Sequence, residues 1–438
     1  MTARASKGLL DRVLSAFTEV RPGEAATALL LMLNMFLLLA AYYLCKTIRE
    51  PLILNARGGA EVKSYAAAAT ATLLIFLVPA YSAIAARVSR VKLINGVTLF
   101  FIGCLLAFFA LSRLGVAIGV PFFIWVGIFS LMAVAQVWAF ATDIYSVGQG
   151  ERLFAIVGFG ASLGAIVGSF ATGQLVKELG PYPFMLGAAA LLGGCFVLTN
   201  IINARESGTK AKAEAKPGAG KPERSGFTLV FANRYLLLIA LLMLIYNLVN
   251  TTGEYILGKM VVSLYERAHG AAAAGGLDES KVIGEFYGNY FTLVNILSAL
   301  LQAFVVSRVL KYFGVRVALM ILPAVALFGY AGMAALPMLG FIRTVKLAEN
   351  SLDYSLQSTT KNALYLPTTR EEKYKAKQAN DAFFVRFGDV LSAGLVFAGT
   401  QWLSFGARQF ALVNVVLIVL WLVLAFVIGR RFKQISNE

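Results

Sequence analysis

The chain has 438 residues, of which 59% are apolar or aromatic and only 14% are charged. Soluble domains contain about 45–50% apolar and about 25% charged residues. A chain of this length cannot enclose such an apolar surplus in a water-soluble core. The composition therefore excludes an ordinary soluble enzyme and predicts an integral membrane protein surrounded by the lipid bilayer.

The charge balance is strongly basic, with 39 Lys and Arg against 23 Asp and Glu and a formal net charge of +16. In a soluble protein this balance would suggest nucleic acid as a partner. Here Lys and Arg are about three times as numerous in the loops of one predicted face as in those of the other, which is the bias of cytoplasmic loops. The charge therefore predicts a multi-pass protein of the inner membrane with both termini in the cytoplasm, and no nucleic-acid partner.

The reactive residue types are sparse. Three cysteines, Cys45, Cys104 and Cys195, lie in apolar runs, where thiols act as small packing groups. The only histidine, His269, lies in a Gly/Ala-rich loop, so neither a Ser-His-Asp triad nor a multi-histidine metal site can be built. The sequence predicts that the protein is not an enzyme and uses no metal or cofactor.

Apolar windows of about 20 residues, the length that crosses about 30 Å of hydrocarbon, recur along the chain. They begin near positions 25, 65, 93, 121, 153, 182, 233, 286, 317, 338, 379 and 408. The first six define an N-terminal half (1–204) and the last six a C-terminal half (227–438). Residues 205–226 mix Lys and Glu with Gly and Pro, a composition that predicts a cytoplasmic linker.

The two halves resemble each other at equivalent places. The basic turn 86–90 after span two matches 307–311 after span eight, and 47–50 in span one matches 251–254 in span seven. Internal repeats of this kind are typical of secondary transporters. These matches predict an all-α integral membrane fold of twelve transmembrane helices in two six-helix halves, which is a major-facilitator-like architecture.

Charged residues inside the spans are the functional candidates, because a Lys or Arg that faces lipid at mid-depth costs about 2.5–3.5 kcal/mol. The clearest set recurs at steps of three or four, on one helical face. Its members are Arg343, Lys346, Asn350, Asp353, Gln357 and Lys361, and Glu349 flanks them. Two interpretations are open: a cavity wall that binds an anionic solute, or internal ion pairs that hold helices in register.

A second cluster lies where span one approaches its outer end. Lys46, Arg49 and Glu50 occupy positions i, i+3 and i+4 of one helix. Pro51 follows and is expected to loosen or end the helix.

Spans seven and eleven also carry polar residues. Arg386 and Asp389 are one turn apart in span eleven, which suits either a local ion pair or contact with a substrate. Span seven carries a mostly neutral stripe, which suits hydrogen bonds to a solute or between helices. This stripe consists of Asn247, Asn250, Thr251 and Glu254.

Four closely spaced glycines superficially match a dinucleotide-binding fingerprint. They are Gly158, Gly160, Gly164 and Gly168. They lie inside an apolar span without a preceding strand, so the phosphate-cradle interpretation lacks its structural context. Small residues four apart instead predict the close approach of two helices.

Three stretches carry a family resemblance. The first stretch is 46–61, which contains two basic residues and an acidic one close together. The second is 138–161. The third, which is the most specific, is 354–388 and contains Thr360-Lys361 and Tyr365-Leu366-Pro367. In this order, over nearly the whole chain, they resemble the ATP/ADP translocases of plastids and obligate intracellular bacteria and their wider bacterial relatives. Residues 250–254 and 357–359 depart from that family's usual runs.

The resemblance implies a twelve-span carrier that exchanges nucleotides without metal or covalent catalysis, and a single chain would suffice. By matching positions, it implies that Lys46, Arg49 and Lys361 recognise phosphate groups. The full set of predicted substrate-binding residues is Lys46, Arg49, Arg343, Lys346, Lys361 and Arg386. The predicted counter-charge or coupling residues are Glu50, Glu254, Glu349, Asp353 and Asp389. The predicted polar cavity residues are Asn247, Asn250, Asn350 and Gln357.

Two other functions remain open at this point. One is a proton-coupled carrier of another solute, in which Glu50, Asp353 or Asp389 changes protonation. The other is a non-transporting membrane sensor or partner subunit, because a carrier fold does not by itself guarantee transport.

Overall fold

The computed structural model describes residues 21, 24–85, 87–145, 147–206, 226–270, 276–369 and 371–437. Within these ranges all regular elements are helical and none is a strand. The predicted all-α class is therefore confirmed.

Six long helices form the first part of the chain. They are α1 (Ala25–Leu54), α2 (Gly59–Ala85), α3 (Arg90–Arg113), α4 (Gly119–Ile144), α5 (Val147–Leu179) and α6 (Pro183–Glu206). Pro51 is expected from the sequence to loosen or end α1, but it does not end the helix, which continues to Leu54. Only three residues follow the proline, so its missing N–H removes one hydrogen bond from the last turn and does not break the helix.

The second part of the chain is helical but less regular. Its α-helices are α7 (Gly226–Ala232), α8 (Arg234–His269), α9 (Leu277–Leu301), α10 (Ser307–Ala335), α11 (Leu339–Leu352), α12 (Ser358–Ala363), α13 (Lys377–Ala379), α14 (Val385–Gln401) and α15 (Ala407–Asn437). Four π-helical segments interrupt them, at Gln302–Val306, Asp353–Gln357, Glu372–Ala376 and Asn380–Phe384. Such wide turns inside helices occur frequently at functional sites.

Nine helical stretches of the described ranges are long and apolar enough to cross a membrane. One of them, Leu277–Ala335, is 59 residues long and contains two of the predicted windows, those near 286 and 317. The windows near 338 and 379 also fall on helices, which are more polar than the rest. All twelve predicted windows therefore lie on helices, and the chain is a multi-pass membrane protein.

The chain divides into two compact units. The first contains Met1–Pro51, Pro79–Gly218 and Gly284–Thr292, and the second contains Leu52–Val78, Ala219–Ile283 and Leu293–Glu438. Most of α2 thus belongs to the second unit and a short part of α9 to the first. The division into sequential halves 1–204 and 227–438 stays a prediction, and the predicted linker 205–226 lies almost entirely outside the described residues.

In the first unit, glycines bring α5 into backbone contact with α1. A Cβ atom on Gly160, Gly164 or Gly168 would lie 2.2–2.5 Å from a backbone oxygen of α1. Real Cβ atoms do not approach this closely, so only glycine permits the crossing. Gly158 instead faces open space. The packing interpretation of this cluster is therefore correct for three of its four members.

We expect Gly164→Ala to destabilise the first unit by about 1–3 kcal/mol, because the added methyl group must push α1 and α5 apart. The measurement is thermal unfolding of the purified protein in detergent. Gly158→Ala is the matched control, since its Cβ meets nothing within 4 Å. Equal shifts in the two variants would contradict the close-packing assignment.

Candidate functional site

In the first unit, the ammonium group of Lys46 lies among aromatic rings. Its Nζ is 4.6 Å from the ring centre of Phe291, 4.9 Å from that of Tyr43 and 5.8 Å from that of Tyr42. The Lys46 side chain is buried, with 7% exposure. Aromatic faces stabilise a desolvated cation without carrying a net negative charge. The three rings therefore stabilise the buried positive charge of Lys46.

Arg49 and Glu50 follow Lys46 on α1. The Nε of Arg49 lies 3.1 Å from Oε1 of Glu50, and its guanidinium carbon lies 4.6 Å from the ring centre of Phe123. Glu50 is almost fully buried, whereas 17% of the Arg49 side chain is exposed. The structure thus keeps the predicted cluster together, with Glu50 as the counter-charge of Arg49.

In the second unit, Lys346 is fully buried on α11. Its Nζ lies 2.8 Å from Oε2 of Glu349 and 2.9 Å from Oδ1 of Asn250. It also lies 3.5 Å from Oε1 of Glu254. This geometry favours the interpretation of internal ion pairs that hold α8 and α11 in register. Substrate binding by Lys346 stays a prediction.

Glu254 on α8 connects Lys346 to a second cation. Its Oε1 accepts a hydrogen bond of 3.0 Å from Nδ2 of Asn350, and its Oε2 lies 3.9 Å from Nζ of Lys63. The sequence analysis did not select Lys63, because the apolar window there starts near position 65. Lys63 is in fact part of α2 and only 7% exposed. Its position only two residues before that apolar window is the sequence signal that could have identified Lys63 as a charged residue of the span.

Close packing of α10 on α8 completes this network. The Tyr330 hydroxyl lies 3.3 Å from Oε2 of Glu349. A Cβ atom on Gly253 would lie 1.8 Å from the same hydroxyl and 3.1 Å from Nζ of Lys346. Gly253 therefore leaves the space in which Tyr330 and Lys346 reach the backbone of α8.

A separate polar cluster joins α8 to α14. Oδ1 of Asp389 accepts hydrogen bonds of 2.7 Å from Nδ2 of Asn247 and from Oγ1 of Thr251. Oδ2 of Asp389 lies 3.5 Å from Nη1 of Arg386. Asp389 is 8% exposed. The local ion pair is therefore present, and these contacts also link two helices of the second unit.

Lys361 lies near the end of the charged stripe on α11 and α12. Its Nζ is 3.5 Å from Oδ1 of Asp353 and 4.7 Å from the ring centre of Tyr246. Gln357 lies between these two charged positions in sequence and is fully buried. Its amide nitrogen and oxygen have no hydrogen-bond partner within the described ranges.

The stripe does not form one site. A helix rises about 1.5 Å per residue, so Arg343 lies about 27 Å along the axis from Lys361. Arg343 is half-buried near the start of α11. The π-helical segment Asp353–Gln357 separates the Lys346 network from the Lys361 pair. The structure therefore divides the sequence-predicted face into two polar clusters.

A pocket of about 560 Å³ lies at the α1–α2 turn and the end of α8, in the second unit. Sequence reasoning did not identify it. Its charged lining residues are Arg57, Glu61, Lys259, Glu266 and Glu279. Oε1 of Glu61 accepts hydrogen bonds of 2.8 Å from the Tyr255 hydroxyl and 2.9 Å from Nζ of Lys259. By the predicted topology this pocket opens on the extracytoplasmic side.

Glu24 precedes α1 at the predicted cytoplasmic end of the first unit. Its two carboxylate oxygens each accept a hydrogen bond of 3.0 Å from the guanidinium group of Arg152. Burial opposes ionisation of Glu24, but hydrogen bonds from Arg152, the backbone N–H of Arg21 and Gln149 outweigh it and lower the pKa of Glu24. This ion pair therefore stabilises the folded state above the ordinary pKa of a glutamate and is lost as the pH falls through the lowered value.

The thiols and the histidine do not build a metal site. Among the described residues, no group of three or more His, Cys, Asp or Glu side chains is placed to hold a metal ion. Cys45 and Cys195 are buried, as packing groups are. His269 does not lie in a loop, as the sequence suggested, but ends α8 and stacks on Tyr265 with ring centres 4.4 Å apart.

Comparison with known proteins adds a family relationship. No protein-family model matches the chain. It is 25% identical over 358 residues to ADP,ATP carrier protein 1 of Chlamydia pneumoniae, covering 69% of this chain and 65% of that protein. It is 23% identical over 354 residues to ADP,ATP carrier protein 1 of Chlamydia trachomatis serovar D, covering 70% and 64%. The chain is therefore similar in sequence to ADP,ATP carrier proteins. The matched region spans slightly less than two thirds of these relatives' length.

Solved structures show the fold of this chain. A POT family transporter in complex with a thioalcohol-conjugated peptide matches with a TM-score of 0.67 at 12% identity, covering 96% of this chain and 98% of that one. The nucleoside transporter NupG matches with a TM-score of 0.57 at 12% identity, covering 94% and 99%. These similarities confirm the predicted major-facilitator-like transporter fold.

We expect Lys346→Met to destabilise the protein by about 3–5 kcal/mol, because it leaves the buried carboxylate of Glu349 without its cation. The double variant Lys346→Met/Glu349→Gln removes both charges, so it should recover much of that loss. Thermal unfolding in detergent of the wild type, both single variants and the double variant gives the coupling free energy. Additive effects would show that the two side chains do not stabilise each other.

Proposed function

We propose that this protein is a secondary carrier that exchanges nucleotides, or a similar phosphorylated anion, by alternating access. The observation that carries the proposal is the sequence similarity to ADP,ATP carrier protein 1 over 358 residues. The transporter fold and the buried cations of both compact units support it. Conversion between two access states requires only motion of packed helical bundles and no covalent step.

Three cations are the strongest candidates for phosphate recognition. Lys46 and Arg49 lie against aromatic rings of the first unit, and Lys361 lies against Tyr246 in the second. Ammonium and guanidinium groups neutralise phosphoryl oxygens strongly where water is excluded. We also propose that Arg343, Lys346 and Arg386 bind the substrate. They are weaker candidates than the first three, because only Lys46, Arg49 and Lys361 are assigned to phosphate recognition by matching positions.

The proposed membrane placement rests on the distribution of Lys and Arg. Their excess on one predicted face supports an inner-membrane protein with both termini in the cytoplasm. We propose two sequential six-helix halves, 1–204 and 227–438, joined by a cytoplasmic linker at 205–226. A single chain contains both halves, which supports a functional monomer.

We expect Lys46→Ala, Arg49→Ala and Lys361→Ala each to lower nucleotide exchange at least tenfold, because each removes a positive charge from a buried or half-buried position. The measurement is uptake of labelled ATP into proteoliposomes loaded with ADP. Lys92→Ala is the control, since Lys92 is exposed on α3 and should retain wild-type uptake. Active protein that neither binds nor takes up any nucleotide would overturn the proposed substrate.

Exchange of fully ionised ATP for ADP should respond to membrane voltage. One net charge crosses per cycle, and its transfer is worth about 2.3 kcal/mol per 100 mV. We therefore expect a 100 mV inside-positive potential to favour ATP accumulation by about 50-fold at equilibrium. A potassium diffusion potential in the same proteoliposomes provides the test, with ATP/ATP exchange as the insensitive control. A voltage-independent ATP/ADP distribution would exclude exchange of these ionic forms.

A second candidate is a proton-coupled carrier of another solute. The observation that favours it is the burial of two carboxylates, Glu50 at 1% and Asp389 at 8% exposure. Asp353, beside Lys361, is the third candidate for the protonated group. Uptake that is driven by a pH gradient and indifferent to nucleotides would select this function over exchange.

A further inference from the structure

The carboxylate of Glu254 in the second unit bridges two lysines from different helices. Its Oε1 lies 3.5 Å from Nζ of Lys346 on α11, and its Oε2 lies 3.9 Å from Nζ of Lys63 on α2. Nδ2 of Asn350 donates a 3.0 Å hydrogen bond to Oε1. Two ammonium groups and an amide thus surround one carboxylate, which is the donor set of an anion-binding site.

We propose that Glu254 is a built-in counter-ion that occupies the place of an anionic substrate group between Lys63 and Lys346. An anion binds there only when the carboxylate of Glu254 has moved out of the place between the two lysines. This inference rests on the proposed carriage of a phosphorylated anion and names the residue that competes with that anion.

Exposure distinguishes Glu254 from the other carboxylate that contacts Lys346. Glu254 has 20% of its side chain exposed, whereas Glu349 has 1% and Lys346 has none. Glu349 also contacts the Tyr330 hydroxyl, which holds it in the interior. Glu254 is therefore the partner that a solute can reach and replace, while Glu349 remains with Lys346.

Like-charge repulsion supplies the reason for competition. The charged and titratable side chains that face Glu254 from the packed helices include Lys63 of α2, Tyr330 of α10, and Lys346 and Glu349 of α11. An anion that enters beside the ionised Glu254 brings negative charges together in a medium of low dielectric constant, which is costly. When the Glu254 carboxylate moves away, the ammonium groups of Lys63 and Lys346 can contact the anion instead.

This arrangement predicts that removing the charge of Glu254 strengthens anion binding. Glu254→Gln keeps the shape and one acceptor oxygen but removes the charge permanently. The variant should therefore bind anions more tightly than the wild type.

The test is equilibrium binding to purified full-length protein in detergent, with labelled ATP and separately with labelled inorganic pyrophosphate, at pH 8. We expect E254Q to bind about tenfold more tightly than the wild type at this pH. The readout is the ratio of the variant's affinity to that of the wild type. E61Q is the matched control, because Glu61 pairs with Lys259 in the same unit and should leave the ratio near one.

One further variant keeps the outcome decisive. Lys63→Met removes one of the two cations and should weaken binding at least tenfold, whether or not E254Q folds. E254Q binding equal to or weaker than the wild type at pH 8, or K63M binding as tightly as the wild type, would overturn the counter-ion role. Pyrophosphate binding with the expected ratio but no ATP binding would support that role and reject the nucleotide. Nucleotide uptake together with an affinity ratio of one would support the nucleotide substrate and reject the counter-ion role.

Discussion

The constraint that governs this molecule is the cost of holding charge in a medium of low dielectric constant. The structure stabilises buried lysine side chains in two ways. In the first unit, Lys46 lies among aromatic rings, whose faces stabilise the ammonium group. In the second unit, Lys346 forms an ion pair with the carboxylate of Glu349 on the same helix. The first arrangement uses ring faces to stabilise a buried cation, and the second uses an opposite charge.

The backbone decides where these groups lie. Glycines allow α5 to contact the backbone of α1, and Gly253 leaves room for Tyr330 and Lys346 beside α8. The π-helical segment Asp353–Gln357 separates the charged positions of α11 from Lys361 on α12. A wide turn changes the angular spacing of the side chains that follow it, so residues with a regular sequence spacing need not share one face. Local backbone geometry thus divides one apparent stripe into two clusters.

Sequence and fold similarity describe the scaffold of this protein, whereas local geometry describes its interior side chains. Similarity to the ADP,ATP carrier proteins extends over 69% of the chain, and the fold is shared with transporters of several kinds at 12–13% identity. A shared fold supplies the scaffold for alternating access, whereas the solute is selected by a few side chains in the interior. Glu254 and Asn250, both in the stretch 250–254, contact Lys346 of α11.

The sequence by itself determined the membrane setting, the helical class, the positions of all twelve apolar windows and the tight packing of the glycine cluster. These features depend on composition and on periodicities of a few residues, which are visible along the chain. Only the tertiary structure decided which charged groups meet. Tyr255 and Glu61 are 194 residues apart, and Lys346 and Asn250 are 96 apart. No sequence periodicity of a few residues encodes such pairs, because helix packing brings them together. For the same reason, the contacts of Lys63 and the pocket at the α1–α2 turn could be identified only in the tertiary structure.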